Sequence, residues 1–333
     1  MQVCFRIQRQ APDRSPWVET YILDVPPRAT ILECLNQIKW EQDGTLAFRK
    51  NCRNTICGSC AMRINGRSAL ACKQTLQDEL ELLSSQNVES STDNLASTPI
   101  QMEIGPLHNF PVIKDLVVEM NEFWTNLAQV NPAIRPQARS IAEGEFRQSP
   151  AERAMLNQVG NCILCGACYA ECNAKAVVPE FVGPHALAKA YRMATDTRDT
   201  THTQRIEQYS QDLSGVWGCT RCFNCNTVCP MEVAPLDQIT KIKAKRLAQP
   251  EDEPSRAVRH RTTMVELVAK DGWIDERKFG LAVVGNSLRD VKGVGSLIPL
   301  GLRMLLRRKF PTRFEASAGK KTVGALIRSI LKL

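Results

Sequence analysis

The sequence predicts an α+β chain: a mixed N-terminal domain over residues 1–105, an all-helical domain over 106–250 and a helical, basic extension over 251–333. Three observations carry that division. A length of 333 residues corresponds to about two or three domains at roughly 100–200 residues each. Strand-like alternation is confined to the first 105 residues, whereas apolar residues after Leu107 recur at helical spacing. Cysteines, 14 in all, fall into groups that end at Cys229 and leave the last hundred residues without one. An apolar content of 43% with 23% charged residues excludes wholesale disorder. No run reaches about 18 uncharged apolar residues, which excludes a membrane-spanning helix.

In order along the chain, Val3–Ile7 and Val18–Val25 alternate as two strands joined near Asp13-Arg14-Ser15-Pro16. Thr30 and Glu33 form a capping box for a helix carried by Ile31, Leu32, Leu35 and Ile38 up to Gly44. Ala61–Ile64 followed by Asn65-Gly66 reads as a strand entering a tight hairpin. The Ser/Asn/Thr-rich run from Ser84 to Thr98 reads as a loop, and Ile100–Ile104 as a last strand. Helices are expected over Asp115–Leu127, His185–Ala194, Thr203–Leu213 and Pro235–Leu247, with Pro235 in a first turn. Gln249–Pro254 reads as a linker. Beyond it, Gly285, Gly293, Gly295, Pro299 and Pro311 break the chain into short helical pieces.

The opening Met1-Gln2-Val3-Cys4-Phe5-Arg6-Ile7 has no basic segment followed by an apolar one, and the chain is long enough to bury cores without covalent staples. Metal-binding thiolates in a reducing cytoplasm are therefore expected rather than a secreted disulfide scaffold. The lack of an Arg/Ser-rich transit segment suggests a bacterial or archaeal chain, or one already processed. Cys52-x4-Cys57-x2-Cys60 followed by Cys72 has the spacing of a plant-type ferredoxin holding a [2Fe–2S] cluster, and so of a β-grasp-like domain. Soft thiolates match soft, redox-active iron, and Gly58 and Ser59 let backbone N–H groups approach the cluster sulfurs. A zinc site is the competing reading, although it usually pairs two C-x2-C motifs or adds histidines.

Cys162, Cys165, Cys168 and Cys172 form one C-x2-C-x2-C-x3-C run; Cys219, Cys222, Cys225 and Cys229, followed by Pro230, form another. In such two-cluster ferredoxin runs the fourth cysteine serves the other cluster. One set is then Cys162, Cys165, Cys168 and Cys229, and the other is Cys172, Cys219, Cys222 and Cys225. A double zinc ribbon is the alternative. Cys4 and Cys34 fall inside a predicted strand and helix and are read as small buried hydrophobes.

With these residues placed, the chain resembles, over roughly residues 1–250, the iron–sulfur subunit of succinate dehydrogenase and fumarate reductase. The resemblance rests on Cys52–Gly66, on Cys162-Ile163-Leu164-Cys165-Gly166-Ala167-Cys168, and on Phe181-Val182-Gly183-Pro184. Ala190-Tyr191-Arg192, Asp196-Thr197-Arg198-Asp199 and Cys229-Pro230 add to it. It implies an electron wire between an FAD-bearing flavoprotein subunit, where succinate and fumarate interconvert, and quinone or a membrane-associated partner. The order would be [2Fe–2S], [4Fe–4S], then a third cluster. No catalytic residue is expected in this chain, and no G-x-G-x-x-G fingerprint argues otherwise. The resemblance also implies a cytoplasmic subunit, peripheral on the inner face of the cytoplasmic membrane.

Two departures stand out. Common members lack a cysteine matching Cys222 and carry [3Fe–4S] as the third cluster; Cys222 supplies a fourth thiolate and predicts [4Fe–4S]. After Cys172 the common pattern has proline and, in quinone-reducing members, a tryptophan of the quinone site. Here Asn173-Ala174-Lys175-Ala176-Val177-Val178 follows. The chain looks closer to an atypical branch whose membrane-associated partner is itself cysteine-rich. Readings that compete are the iron–sulfur subunit of another respiratory oxidoreductase, of the heterodisulfide reductase or glycolate oxidase type, and a free multi-cluster ferredoxin carrier.

The net charge of +8 belongs to the tail: residues 295–333 hold nine Lys/Arg and one acid, Glu315, and the remainder is neutral. Gly301–Phe310 and Thr322–Lys332 mix cations with apolar residues, as a helix lying on an anionic membrane surface or docking on a partner would. A helix packed on the body with solvated cations is the alternative. Nucleic-acid binding is not expected, because the tail lacks interleaved aromatics.

Overall fold

The computed structural model describes residues 1–86, 100–210, 213–249, 254–310 and 313–331. They form two units, Met1–Arg246 and Leu247–Leu333.

The first unit opens with β1 (Gln2–Ala11) paired antiparallel with β2 (Arg14–Asp24). The connection is shorter than the sequence predicts, since Arg14, Ser15 and Pro16 already belong to β2. That strand lies at the edge of the sheet, where a proline leaves no ladder bond unmade. Alternation turns Val3, Phe5 and Ile7 inward, and Cys4 is buried in the same strand. The capping box starts α1 (Ile31–Gln37), with Glu33 N donating to Thr30 Oγ1 (3.2 Å) and Thr30 N to Glu33 Oε2 (2.8 Å). Cys34 is buried in α1, as expected.

The hairpin of β3 (Ala61–Ile64) and β4 (Arg67–Leu70) turns on Asn65 and Gly66, at φ 47° and 82°. Both left-handed residues suit the type I′ turn that matches strand twist. The loop expected from Ser84 instead begins as the last turn of a helix, α2 (Leu76–Gln86), and its residues 87–98 lie outside the described ones. Reciprocal bonds between Thr75 and Asp78 cap α2, while the Ser84 and Ser85 hydroxyls donate to carbonyls three residues back and so remain compatible with helix. β5 (Ile100–Gly105) runs parallel to β1 and antiparallel to β3, giving the strand order β2-β1-β5-β3-β4.

The helix expected from Asp115 starts later. A small hairpin, β6 (Val112–Lys114) and β7 (Val117–Val118), comes first, and α3 (Asn121–Gln129) follows. Asp115 holds the hairpin at φ 50° because its buried carboxylate accepts from Arg9 Nε (2.9 Å), Gln10 N (3.2 Å) and Ala47 N (2.9 Å). Arg9 also donates to Tyr21 Oη (2.6 Å), Asp43 (2.5 Å) and Thr45 Oγ1 (2.9 Å). One buried guanidinium thus ties β1 to β2, to the segment that precedes the first cysteine loop and to the turn between β6 and β7. Desolvation works against Asp43 ionising, but hydrogen bonds from Thr45, Tyr21 and Arg9 outweigh it and hold this carboxyl well below the usual range.

Beyond α3 the unit is helical: α4 (Pro150–Gly160), α5 (Ala167–Ala170), α6 (Asn173–Val177), α7 (Pro184–Thr195), α8 (His202–Tyr209), α9 (Asn224–Thr227) and α10 (Pro235–Leu247). α7 is the central post. Its Ala186, Ala188, Ala190 and Ala194 are buried, and small side chains let neighbouring backbones approach closely. α8 ends at Tyr209 rather than at the expected Leu213.

The second unit contains α11 (Arg256–Asp271), α12 (Glu276–Val283), α13 (Val291–Leu306) and α14 (Lys320–Leu331). These are longer than the short pieces expected, because Gly293, Gly295 and Pro299 lie within α13 instead of interrupting it. The proposed linker's residues 250–253 lie outside the described residues.

Candidate metal centres

None of the fourteen cysteines is engaged in a disulfide. The first group lies on the irregular segment between α1 and β3 and just after β4. Arg53, Thr55 and Gly58 take left-handed φ values of 57°, 58° and 71°, curling the chain around the thiols. The amides of Asn54 and Cys57 each approach Cys52 Sγ at 3.3 Å, and the Cys52 amide lies 3.5 Å from Cys57 Sγ. Burial pushes the Cys57 thiol up, but hydrogen bonds from Ser59 and Cys52 outweigh it and lower it to about 6. Cys60, at the foot of β3, is pushed up to about 12 by burial and by neighbouring Cys72 and Cys57. The four expected thiols are thus brought together, inside a set of backbone donors suited to anionic sulfur.

The other two groups repeat one local design. In Cys162–Cys168 the second and fourth intervening positions, Leu164 and Gly166, have φ 54° and 86°; in Cys219–Cys225 the equivalent Arg221 and Phe223 have φ 60° and 68°. Each loop runs into a one-turn helix, α5 or α9. Each also receives a lysine from the following long helix. Lys189 Nζ of α7 donates to Cys162 O and Lys243 Nζ of α10 to Cys219 O, both at 3.3 Å. Desolvation lowers the Lys243 pKa. Neither lysine is singled out by the sequence, and the only signal was the similar offset from the first cysteine of each run.

The runs cross. Cys229 stands with Cys162, Cys165 and Cys168 around one cavity, whose wall also contains His185 and Pro230. Burial raises the thiols of Cys162, Cys165 and Cys168, and each is also raised by Cys229 beside it. Cys172, in turn, is raised by burial and then by Cys219 and Cys222, while Cys225 is raised by burial and then by Cys219, Cys172 and Cys222. Both expected crossed quartets are therefore spatial neighbours. Among the described residues, no three His, Cys, Asp or Glu side chains are arranged around a single ion. Cys162, Cys165, Cys168 and Cys229 around one cavity offer the all-thiolate donor set that iron–sulfur clusters take.

The three groups also abut. A Cβ built on Gly58 would lie 2.8 Å from Cys165 Cβ, so the first loop touches the second. Cys168 feels the charge of Cys225, which brings the second group beside the third. Glu171 accepts from Ser68 N (3.0 Å) and Ser68 Oγ (2.7 Å), fastening the helical part to β4. His185 is fully buried, stacked 3.8 Å from the Phe123 ring, and donates through Nε2 to Phe123 O (2.9 Å). Burial depresses its pKa to about 3, which keeps the ring neutral. The segment after Cys172 folds as α6 with Lys175 buried and paired to Glu122 (2.6 Å).

The 2Fe-2S iron-sulfur cluster binding domain family matches residues 4–125, and the 4Fe-4S dicluster domain family matches residues 158–233. The chain is 34% identical over 245 residues to the fumarate reductase iron-sulfur subunit of Mycobacterium tuberculosis (strain CDC 1551 / Oshkosh), covering 73% of this chain and 92% of that one. It is 32% identical over 248 residues to the mitochondrial succinate dehydrogenase [ubiquinone] iron-sulfur subunit 3 of Arabidopsis thaliana, covering 73% and 74%. Among solved structures, a chain of the Mycobacterium smegmatis Sdh1 complex in the apo form superposes with a TM-score of 0.61 at 23% identity. That match covers 75% of this chain and 98% of that one and speaks for a shared fold.

Proposed function

Because the chain belongs to the iron–sulfur subunits of the fumarate reductases and succinate dehydrogenases, we propose that its twelve grouped cysteines hold three clusters in series. Cys52, Cys57, Cys60 and Cys72 hold [2Fe–2S]. Cys162, Cys165, Cys168 and Cys229 hold [4Fe–4S]. Cys172, Cys219, Cys222 and Cys225 hold a third cluster, which Cys222 completes as [4Fe–4S]. The functional segments are then 1–105 around the first cluster, 106–250 around the other two, and 251–333 as an appendage. The observation that carries this reading is the crossing: Cys229 stands with the first run and Cys172 with the second, as two-cluster ferredoxins require.

The clusters supply one-electron carriers. This chain's residues fix their order, surround them with backbone donors and keep His185 neutral beside them. An FAD-bearing flavoprotein subunit carrying the succinate/fumarate site exchanges electrons with the first cluster. A membrane-associated partner or quinone takes them from the third. The subunit sits on the inner face of the cytoplasmic membrane, with its cationic tail toward the anionic surface; among the described residues no helix is long and apolar enough to cross it.

Anaerobic purification, with iron and sulfide counts, EPR and identification of bound partners, tests the reading. The expected yield is about ten iron and ten sulfide per chain, with an FAD-bearing subunit attached. Wild type should show no stoichiometric [3Fe–4S] signal when oxidised, and Cys222→Ser should acquire one. A full [3Fe–4S] signal from intact wild type would overturn the assignment of Cys222.

A further inference from the structure

We propose that α13 is an interfacial helix that binds the anionic surface of a lipid bilayer directly. This deepens the membrane side of the function above and rests on that reading for its setting only. No side chain of α13 is buried, although it is sixteen residues long and largely apolar. At about 100° per residue, Val291, Ile298, Leu302, Leu305 and Leu306 share one face. All five are exposed, Val291 by 79% and Leu306 by 86%. Lys292, Ser296, Arg303 and Arg307 form the adjoining stripe, and Arg308 and Lys309 follow at once. No acidic residue occurs from Val291 to Phe314. An apolar face bordered by cations of one sign, with long stems able to reach head groups, matches an anionic bilayer surface. A protein partner would need an acidic patch to match it.

The helix also carries its own reason to need a surface. Gly293, Gly295, Gly301 and Pro299 all weaken an isolated helix in water. Apolar burial must offset that, and none of the five residues of its apolar face is buried among the described residues. At 1.5 Å per residue its sixteen residues span roughly 24 Å, short of the roughly 30 Å hydrocarbon core, so it lies along the bilayer rather than through it. α14 differs: it packs on α11 at Gly324, where an added Cβ would lie 2.5 Å from Ala269 O. Of the two tail segments, α14 is therefore a strut and α13 the contact element.

The test is co-sedimentation of the full-length, cluster-loaded chain with phosphatidylcholine vesicles, with and without about one-third phosphatidylglycerol. Wild type should bind the anionic vesicles at least about ten-fold more tightly, and added salt should weaken binding. Leu302→Ser with Leu306→Ser should cost about ten-fold or more in partitioning. Leu326→Ser with Ile330→Ser on α14 should cost less than about two-fold. Indifference to phosphatidylglycerol, or an equal loss from the α14 pair, would overturn the proposal. So would an α13 variant that keeps its vesicle binding but loses its flavoprotein or membrane partner, which would make the face a protein interface. Iron and sulfide counts on every variant read the cluster assignment separately.

Discussion

Gly58 carries two constraints at once. Its φ of 71° is one that side chains rarely adopt, and an added Cβ would overlap Cys165 at 2.8 Å. Gly58→Ala should therefore push the first cysteine loop away from the second and cost about 1–3 kcal/mol of stability. The expected signature is weaker magnetic coupling between the reduced first and second clusters in EPR, with both clusters still present; unchanged coupling would show that this contact does not set their spacing. The sequence suggested that Gly58 and Ser59 admit backbone donors to sulfur. Ser59 hydrogen-bonds the Cys57 thiol, and Gly58 in addition allows the close approach of two loops. Cysteine spacing made the ligand candidates legible. The left-handed Leu164, Arg221 and Phe223 were not, because none is the glycine that usually signals such a conformation.

At the level of elements, the Asp196-Thr197-Arg198-Asp199 segment acts as a fastener. The Asp199 carboxylate accepts from Arg205 (2.8 Å), Arg135 N (2.9 Å), Thr201 N (2.8 Å) and Thr201 Oγ1 (2.7 Å). Arg205 also donates to Asn131 O (2.9 Å), Ala133 O (2.5 Å) and Tyr209 Oη (3.0 Å). A chain segment without regular structure is thereby tied to α8. Desolvation alone would raise the Asp199 pKa, but the Arg205 and Thr201 hydrogen bonds win and hold it well below the usual carboxylate range. A depressed folded pKa contributes stability that is complete above the unfolded value, about 3.9, and is lost as pH falls through and below it. Asp199→Asn, which strands a buried guanidinium, should cost about 3–5 kcal/mol near pH 7. The gap to wild type should hold down to about pH 5 and narrow as pH drops from there to about 3 and below. Denaturant midpoints of both proteins at each pH measure it, and the difference cancels acid loss of clusters common to the two. A gap independent of pH would remove the ion pair as its cause. Capping residues and periodicity made most elements legible, including α7 and α10. They misled at Asp115, where a tertiary bond from Arg9 outweighs local helical spacing, and at Pro299, where the helix continues through a residue that usually ends one.

For the whole molecule, the division after Arg246 has a functional consequence. Every grouped cysteine, the crossed quartets and the Gly58–Cys165 contact lie before it, and both family matches end by residue 233. The second unit buries few large apolar side chains, among them Val258, Leu267 and Val283, while exposing many on α13 and α14. It has too little core to be what stabilises the cluster-binding part. Truncation after Gln249, which keeps α10 and so Lys243 over Cys219 O, should leave iron and sulfide per chain and the EPR signals within about 10% of wild type. The same truncation should remove the net charge of +8 that the tail carries and with it salt-sensitive binding to anionic vesicles. If truncation instead stripped the third cluster, the appendage would be part of the shell around Cys172, Cys219, Cys222 and Cys225, and the cluster-binding unit would extend to the end of the chain. Retained clusters with lost vesicle binding would mean that one unit conducts electrons and the other determines where along a membrane it does so.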